Sequence, residues 1–263
     1  MEIDTSINNL TAQLAPITLD EMGGIKLMNR TDTKFVTDKA HLVQLLKLVQ
    51  GKYFAQEIGG QRIANYRTTY WDTPWHRFFL EHHNGRAPRQ KIRVRTYMDS
   101  DLTFLEVKTK NNHGRTKKKR ITVPSQERAD VVQAGGSDFT KGLTGATFDD
   151  ILPTVQNQFQ RITLVNYGKT ERLTIDFNVH FHNFETGNAT GTGDLVIIEL
   201  KRDGNVFSPV LDMLRQLRIK PSGFSKYCIG SVMTNGQLKN NLFKPKMVRI
   251  SKLTGFHFHP ANS

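Results

Sequence analysis

Between Lys91 and Arg120 the chain carries three short segments, KIRVRTY, FLEVKTK and GRTKKKR, in which charged residues recur at every second position. Successive side chains on a β-strand point to opposite faces. Lys91, Arg93, Arg95 and Tyr97 therefore share one face of the first segment, and Glu106, Lys108 and Lys110 share one face of the second. Neighbouring strands of this kind build a cationic wall. Like charges facing one another repel unless a polyanion neutralises them or water fills the space in front. The chemistry open to such a wall is to grip and neutralise a phosphate-rich ligand.

The same period selects further residues. Arg30, Asp32 and Lys34 share a face, as do Lys118 and Arg120, Phe159 and Arg161, then Arg172, Thr174 and Asp176, and finally Glu199 and Lys201. For any single strand, alternating Lys and Glu is most simply the solvated side of an antiparallel sheet. That explanation weakens as strands accumulate, because small barrels normally fill their interiors with apolar side chains and a polar interior implies a water- or ligand-filled lumen. In VIIELK, Val196, Ile198 and Leu200 form an apolar face suited to packing under helices, while Leu195 and Ile197 precede Glu199 on its own face. This strand is apolar on both faces at one end and charged at the other. Glu199 and Lys201 then sit in a partly enclosed site, where unpaired charge is costly.

Elements must position these faces. Thr18 and Glu21 have the spacing of a capping box for a short helix that Gly23 and Gly24 terminate, within an N-terminal helical segment over 1–24. A first strand is predicted from about Lys26 to Val36. Thr37 or Asp38 then caps a helix carrying His41, Leu42, Leu45, Leu46, Leu48 and Val49 at helical spacing. Strands follow at QRIANYRTTYWDT, KIRVRTYM, LTFLEVKTK and KKRITVP, with turns at HNGR and NNHG. Residues 125–152 read as a turn-rich, weakly helical excursion. Strands resume at NQFQRITLVNY, ERLTIDFNVHF and DLVIIELK. Ser208 as N-cap followed by Pro209 starts a helix, and a second runs through FSKYCIGSVM. The pattern predicts an α+β protein built on a closed or nearly closed antiparallel β-barrel with flanking helices. The main domain is placed at 25–240 and a C-terminal tail at 241–263.

Lys and Arg total 37 against 24 Asp and Glu, a formal charge of +13 over 263 residues. This predicts an acidic partner such as nucleic acid, an anionic membrane or a phosphorylated small molecule. No apolar run approaches a bilayer span, and MEIDTSINNL lacks the regions of a signal peptide. Cys228 is the only cysteine, so no intrachain disulfide is possible, and a cytoplasmic location is expected. The pairs His82/His83, His180/His182 and His257/His259 match no closed zinc spacing and read as strand-face or surface residues. Trp71 and Trp75 are expected to pack the barrel end. Lys117 to Arg120 lacks any accompanying helix-turn-helix, RNP or zinc-finger pattern, so nucleic acid is not expected.

Taken in order, RTDTKF, YRTTYWDTPWHRFF through HHNGRAPRQKIRVRTY, EVKTK, FQRITL, RLTIDF, VIIELK and GFSKY resemble the VTC domain. This is the polyphosphate polymerase domain of the vacuolar transporter chaperone complex, related to the triphosphate tunnel metalloenzymes. The resemblance runs from about Lys26 to Met233. It implies a tunnel of antiparallel strands in which ATP donates its terminal phosphoryl group to a growing inorganic polyphosphate. It implies catalytic contacts from Arg93, Arg95, Lys108, Arg161 and Lys226, and phosphate binding by Lys34, Lys118, Arg120, Arg172, Lys201 and Ser225, to which the shared strand face adds Lys91. It also implies a divalent cation, Mn or Mg, on Glu199. Tunnel hydrolases of the wider superfamily begin with an ExExK strand, and here Arg30, Asp32 and Lys34 occupy those positions. Losing the first carboxylate disfavours two-metal hydrolysis, which needs acidic ligands to place a second ion. The regulatory domain and membrane helices of the fungal members are not expected here, which leaves a separate membrane partner open. Two other functions fit the same residues: hydrolysis of inorganic triphosphate, and polyanion binding without catalysis. Removing Arg93 or Arg95 is expected to leave folding intact, since it relieves repulsion between like charges.

Overall fold

In the computed structural model, which describes residues 2–23, 30–204 and 206–255, the alternating segments form one sheet. Its main path comprises β2 (Arg30–Asp38), β4 (Ala64–Asp72), β5 (Arg89–Tyr97), β6 (Leu102–Lys110), β7 (Thr116–Val123), β8 (Leu152–Asn166), β9 (Glu171–Asn183) and β11 (Leu195–Asp203). Short strands β1 (Ala15–Ile17), β3 (Tyr53–Gln56) and β10 (Ala189–Gly191) attach to it. The order along the path is β2-β11-β9-β8-β4-β5-β6-β7, and every pair in it is antiparallel. Among the described residues no ladder joins β7 to β2, so hydrogen bonds do not close the sheet into the expected barrel. Instead, 221–225 runs beside β2. Pro221 bridges Phe35, and Ser222 N–H donates to the Lys34 carbonyl at 2.8 Å.

Apolar alternation places helices on both sides. On one face, Val196, Ile198 and Leu200 are fully buried against α3 (Lys39–Leu48) and α7 (Pro209–Gln216), and Ile7 of α1 (Glu2–Ala12) joins the same core. Asp38 caps α3, its carboxylate accepting from His41 N–H at 2.8 Å. The outer face of β5 and β6 packs Ile92, Val94, Leu105 and Val107 beneath α5 (Arg128–Gln133) and α6 (Gly136–Thr144), which form the predicted excursion. On the opposite face, Leu195, Ile197, Val36, Val155 and Phe181 are buried with α8 (Lys226–Thr234) and α9 (Lys244–Thr254). One end of this inner face is thus filled by apolar side chains, as the two-sided apolar start of β11 requires.

Several expectations are corrected. The Thr18/Glu21 box forms as read, ahead of α2 (Leu19–Gly23), and α1 falls within the helical segment over 1–24, but β1, β3, β10 and α4 (Arg77–His83) were not anticipated. Ser208 precedes α7 without a side-chain capping bond. Trp71 is buried against Phe148, whereas Trp75 is 66% exposed and packs no barrel end. The segment read as a tail begins with a 3-10 turn, Asn241–Phe243, and continues into α9, whose Ile250 is buried. Gly24, Lys26, His257, His259 and the Arg30 side chain lie outside the described residues. Among the described residues no helix is long and apolar enough to cross a membrane.

Candidate phosphate-binding face

Residues directly opposite one another on antiparallel strands share a face, and the register brings the predicted cations together. Lys91 lies opposite Lys108, and Lys108 opposite Lys118; Arg93 lies opposite Glu106, and Glu106 opposite Arg120. Across the sheet, Arg161 faces Asp176, Glu199 sits between Thr174 and Lys34, and Lys201 sits between Arg172 and Asp32. Lys226 and Ser225 reach the same face from the start of α8.

Three carboxylates organise the cations. Glu106 is fully buried and takes Arg93 Nη2 at 2.5 Å on one oxygen and Lys118 Nζ at 2.8 Å on the other. Burial pushes its carboxyl up, but Arg93, Arg95 and Lys118 outweigh this and hold it well below the usual carboxylate range. Asp176 accepts from Arg161 Nε at 2.5 Å and Nη2 at 2.8 Å, and from Lys226 Nζ. It is likewise held low against the effect of burial, first by Arg161 and then by Lys226. Glu199 lies 3.3 Å from Lys34 Nζ and 3.4 Å from Lys201 Nζ, and these lysines, with Lys108, hold it low despite burial.

The remaining cations feel mostly one another. Lys108 is pushed well below the ordinary lysine value by Arg93, then by burial and Arg95. Burial brings Lys91 down to about 8, with Lys34, Arg89 and Arg93 adding to the effect. Lys226 also falls to about 8, chiefly through burial, because the nearby Asp176 only partly offsets it. Lys91 Nζ donates to Ser225 Oγ at 2.9 Å, while the same oxygen caps α8 by accepting from Cys228 N–H at 3.2 Å. Ser225 keeps its own proton to donate. The stacked rings of Tyr66 and Phe159, 5.1 Å apart, support Arg95, Arg161 and Lys226, whose charged groups lie 4.0–5.8 Å from ring centroids.

Two predicted residues lie at the exposed edge. Arg120 is exposed on the edge strand with its guanidinium 4.3 Å from the Phe104 ring centroid, and Lys118 is half-exposed beside it. Other lining residues were missed. Tyr66, Thr68 and Tyr70 alternate along YRTTY, a period-two signal available in the sequence but free of charge. Thr68 Oγ1 accepts from Arg95 Nε at 3.1 Å. Asn157, opposite Thr68, is buried with neither amide atom hydrogen-bonded among the described residues. His180 and His182 are exposed, as expected.

The VTC domain model matches residues 29–235 of the chain. The chain belongs to the VTC domain family. No curated protein is significantly similar to it in sequence. Among solved structures, this VTC domain is similar to a putative adenylate cyclase from Bacillus halodurans, with TM-score 0.49 and 14% identity over 75% of this chain and 96% of that one. A putative adenylyl cyclase from Hippeastrum, described as having a dominant triphosphatase activity, gives TM-score 0.48 and 15% identity over 82% and 99%. Both are loose likenesses, and the family assignment rests on the VTC match.

Whether this VTC domain suits a metal depends on its donors. Among the described residues no three of His, Cys, Asp and Glu converge on a metal-sized site. Glu106 and Asp176 are each occupied by two cations. Glu199 is the carboxylate left with only longer contacts to lysines, and one carboxylate suits a magnesium-like ion whose other ligands are substrate phosphates and water. The donor set fits a cation that arrives with the phosphates, and it does not fit a cage made of protein alone.

Proposed function

We propose that this VTC domain is a polyphosphate polymerase that transfers the terminal phosphoryl group of ATP to the end of an inorganic polyphosphate chain within a tunnel-like basic face. The observation that carries the reading is the arrangement of charge. Cations outnumber carboxylates on this face, and Glu106, Asp176 and Glu199 are each shared by two cations. Such a surface is complementary to an extended polyanion.

The chemistry asks for no protein base. A terminal phosphate has a second pKa of about 6, so the acceptor oxygen is largely deprotonated at neutral pH. That oxygen attacks the γ-phosphorus of ATP, the bond to the bridging β–γ oxygen breaks, and ADP leaves with the electron pair. Arg93, Arg95, Lys108, Arg161 and Lys226 would hold the transferring group and neutralise its charge, which is the main task in phosphoryl transfer. Lys34, Lys91, Arg172, Lys201 and Ser225 would bind flanking phosphates, with Lys118 and Arg120 at the open edge. Glu199 would hold a divalent cation, Mn or Mg, which when bound supplies further neutralisation of the donor phosphates.

Product analysis tests this. With ATP and a divalent metal, the purified protein should release ADP and form a ladder of long polyphosphate chains. Orthophosphate as the sole product, across several metals and with a short primer supplied, overturns the reading in favour of hydrolysis. Binding of polyphosphate without turnover overturns it in favour of a binding module.

A further inference from the structure

Beside the three carboxylate clusters, Lys34, Arg89, Lys91, Lys110 and Lys246 line a cleft of about 260 Å³ whose other polar lining is His82 and Ser225. A bound water takes a share of about 30 Å³, so the cleft has room for a ligand much larger than a single ion. Its cations come from β2, β5, β6 and α9, elements far apart in sequence. No carboxylate lines it among the described residues, unlike the inner clusters, where every carboxylate is matched to two cations. Of the five cations only Lys34 pairs with a carboxylate, Glu199 outside the cleft, among the described residues; like charges gathered with so few counterions repel one another, and a linear polyanion removes that cost.

His82 sharpens the picture. Burial, followed by Lys91, Arg89, Lys246 and Lys110, depresses its imidazole to about 2, so the ring is neutral. Its Nδ1 is buried without a hydrogen-bond partner among the described residues. Phe224 and Phe243, which also line the cleft, are buried in the core beneath α8 and α9 and offer little ring surface to a base. The lining thus suits a chain of phosphates better than a nucleoside. Lys34 and Lys91 belong to both the cleft and the cationic face, so the two are continuous.

We propose that this cleft is a product-chain subsite, holding polyphosphate beyond the transferring group so that the chain stays bound between additions. The proposal rests on the polymerase reading for the identity of the chain, and Arg89, Lys110 and Lys246 are the residues that distinguish the cleft from the catalytic face. The test uses the full chain carrying Lys110→Ala with Lys246→Ala, and separately Arg89→Ala. Calorimetric titration with long-chain polyphosphate and with inorganic triphosphate comes first. Loss of two charge-assisted contacts should weaken long-chain binding roughly tenfold or more and leave triphosphate binding unchanged. Turnover with ATP comes second. Initial ADP release should persist while mean product length falls, and Lys246→Arg should restore it. Equal loss for both ligands, no loss for either, or a raised KM for ATP at unchanged product length overturns the subsite. The binding contrast reads the cleft even if the wild type makes no polymer, an outcome that would remove the polymerase reading alone.

Discussion

Arg93 and Arg95 lie two residues apart on one face of β5 in different electrostatic company. Arg93 is clamped to a fully buried carboxylate, Glu106, through two nitrogens. Arg95 forms no salt bridge among the described residues; it donates to Thr68 and lies over the rings of Tyr66 and Phe159. Burial and the neighbouring Arg93 push its guanidinium down, so its charge is disfavoured where it sits. The expectation that folding tolerates loss of either arginine is therefore narrowed to a prediction for Arg95. Arg93→Ala leaves the buried Glu106 with Lys118 as its one salt-bridge partner and should cost about 3 kcal/mol. Arg95→Ala should leave stability nearly unchanged, and on the polymerase reading each variant should lower turnover on the order of a hundredfold. Urea denaturation with single-turnover assays checks this, and equal unfolding midpoints would show that Lys118 suffices for Glu106. The cations were legible because period two is a local property. The carboxylates Glu106 and Asp176 were legible in the same way, but their pairing with Arg93 and Arg161 was not, since it depends on strand register, which turn geometry sets.

At the scale of elements, α8 links the apolar end of the inner face to its charged end. Tyr227, Cys228, Ile229 and Val232 are buried, and Lys226 at its start reaches Asp176. Gly230 allows the close approach. A Cβ there would lie 2.4 Å from Cδ1 and 2.5 Å from Cε1 of Phe181, a buried ring that cannot swing aside. Gly230→Ala gains up to about 1 kcal/mol of helix propensity and loses about 1–3 kcal/mol to overpacking, so net destabilisation is expected. Displacing α8 should also weaken triphosphate binding through Lys226. Thermal melting and calorimetry check both, and a variant as stable as the wild type would mean that the helix shifts freely. This helix and the long strands were readable from pattern. α4 was not, because its first turn is held by Asp72, whose carboxylate accepts from Phe78 and Phe79 N–H at 2.9 and 2.8 Å. That cap lies several residues upstream of where a local N-cap belongs. The short strands β1, β3 and β10 depend on the neighbours they pair with, and propensity alone does not mark them.

For the whole molecule, composition predicted an acidic partner, but closure of the sheet was beyond it, because closure turns on whether β7 meets β2 after the entire path has curled. Burial of two lysines among the cations of this face has a measurable consequence. Lys91 and Lys226 fall from an ordinary 10.5 to about 8 in the folded protein. Between these values the unfolded chain binds more protons than the folded one, so their contribution makes the ligand-free protein more stable as pH rises from about 8 towards 10.5. On the proposed function, phosphate binding should have the opposite dependence, since it would draw on the charged lysines that are lost over the same range. Inorganic triphosphate at a hundred times its Kd should stabilise the protein by about 2.7 kcal/mol near pH 7, and this increment should shrink steadily above pH 8. Scanning fluorimetry from pH 7 to 9.5, at matched ionic strength with and without triphosphate, reads both trends at once. Lys91→Met with Lys226→Met should flatten each of them. A triphosphate shift that stays constant across the range would remove these two lysines from the phosphate-binding face.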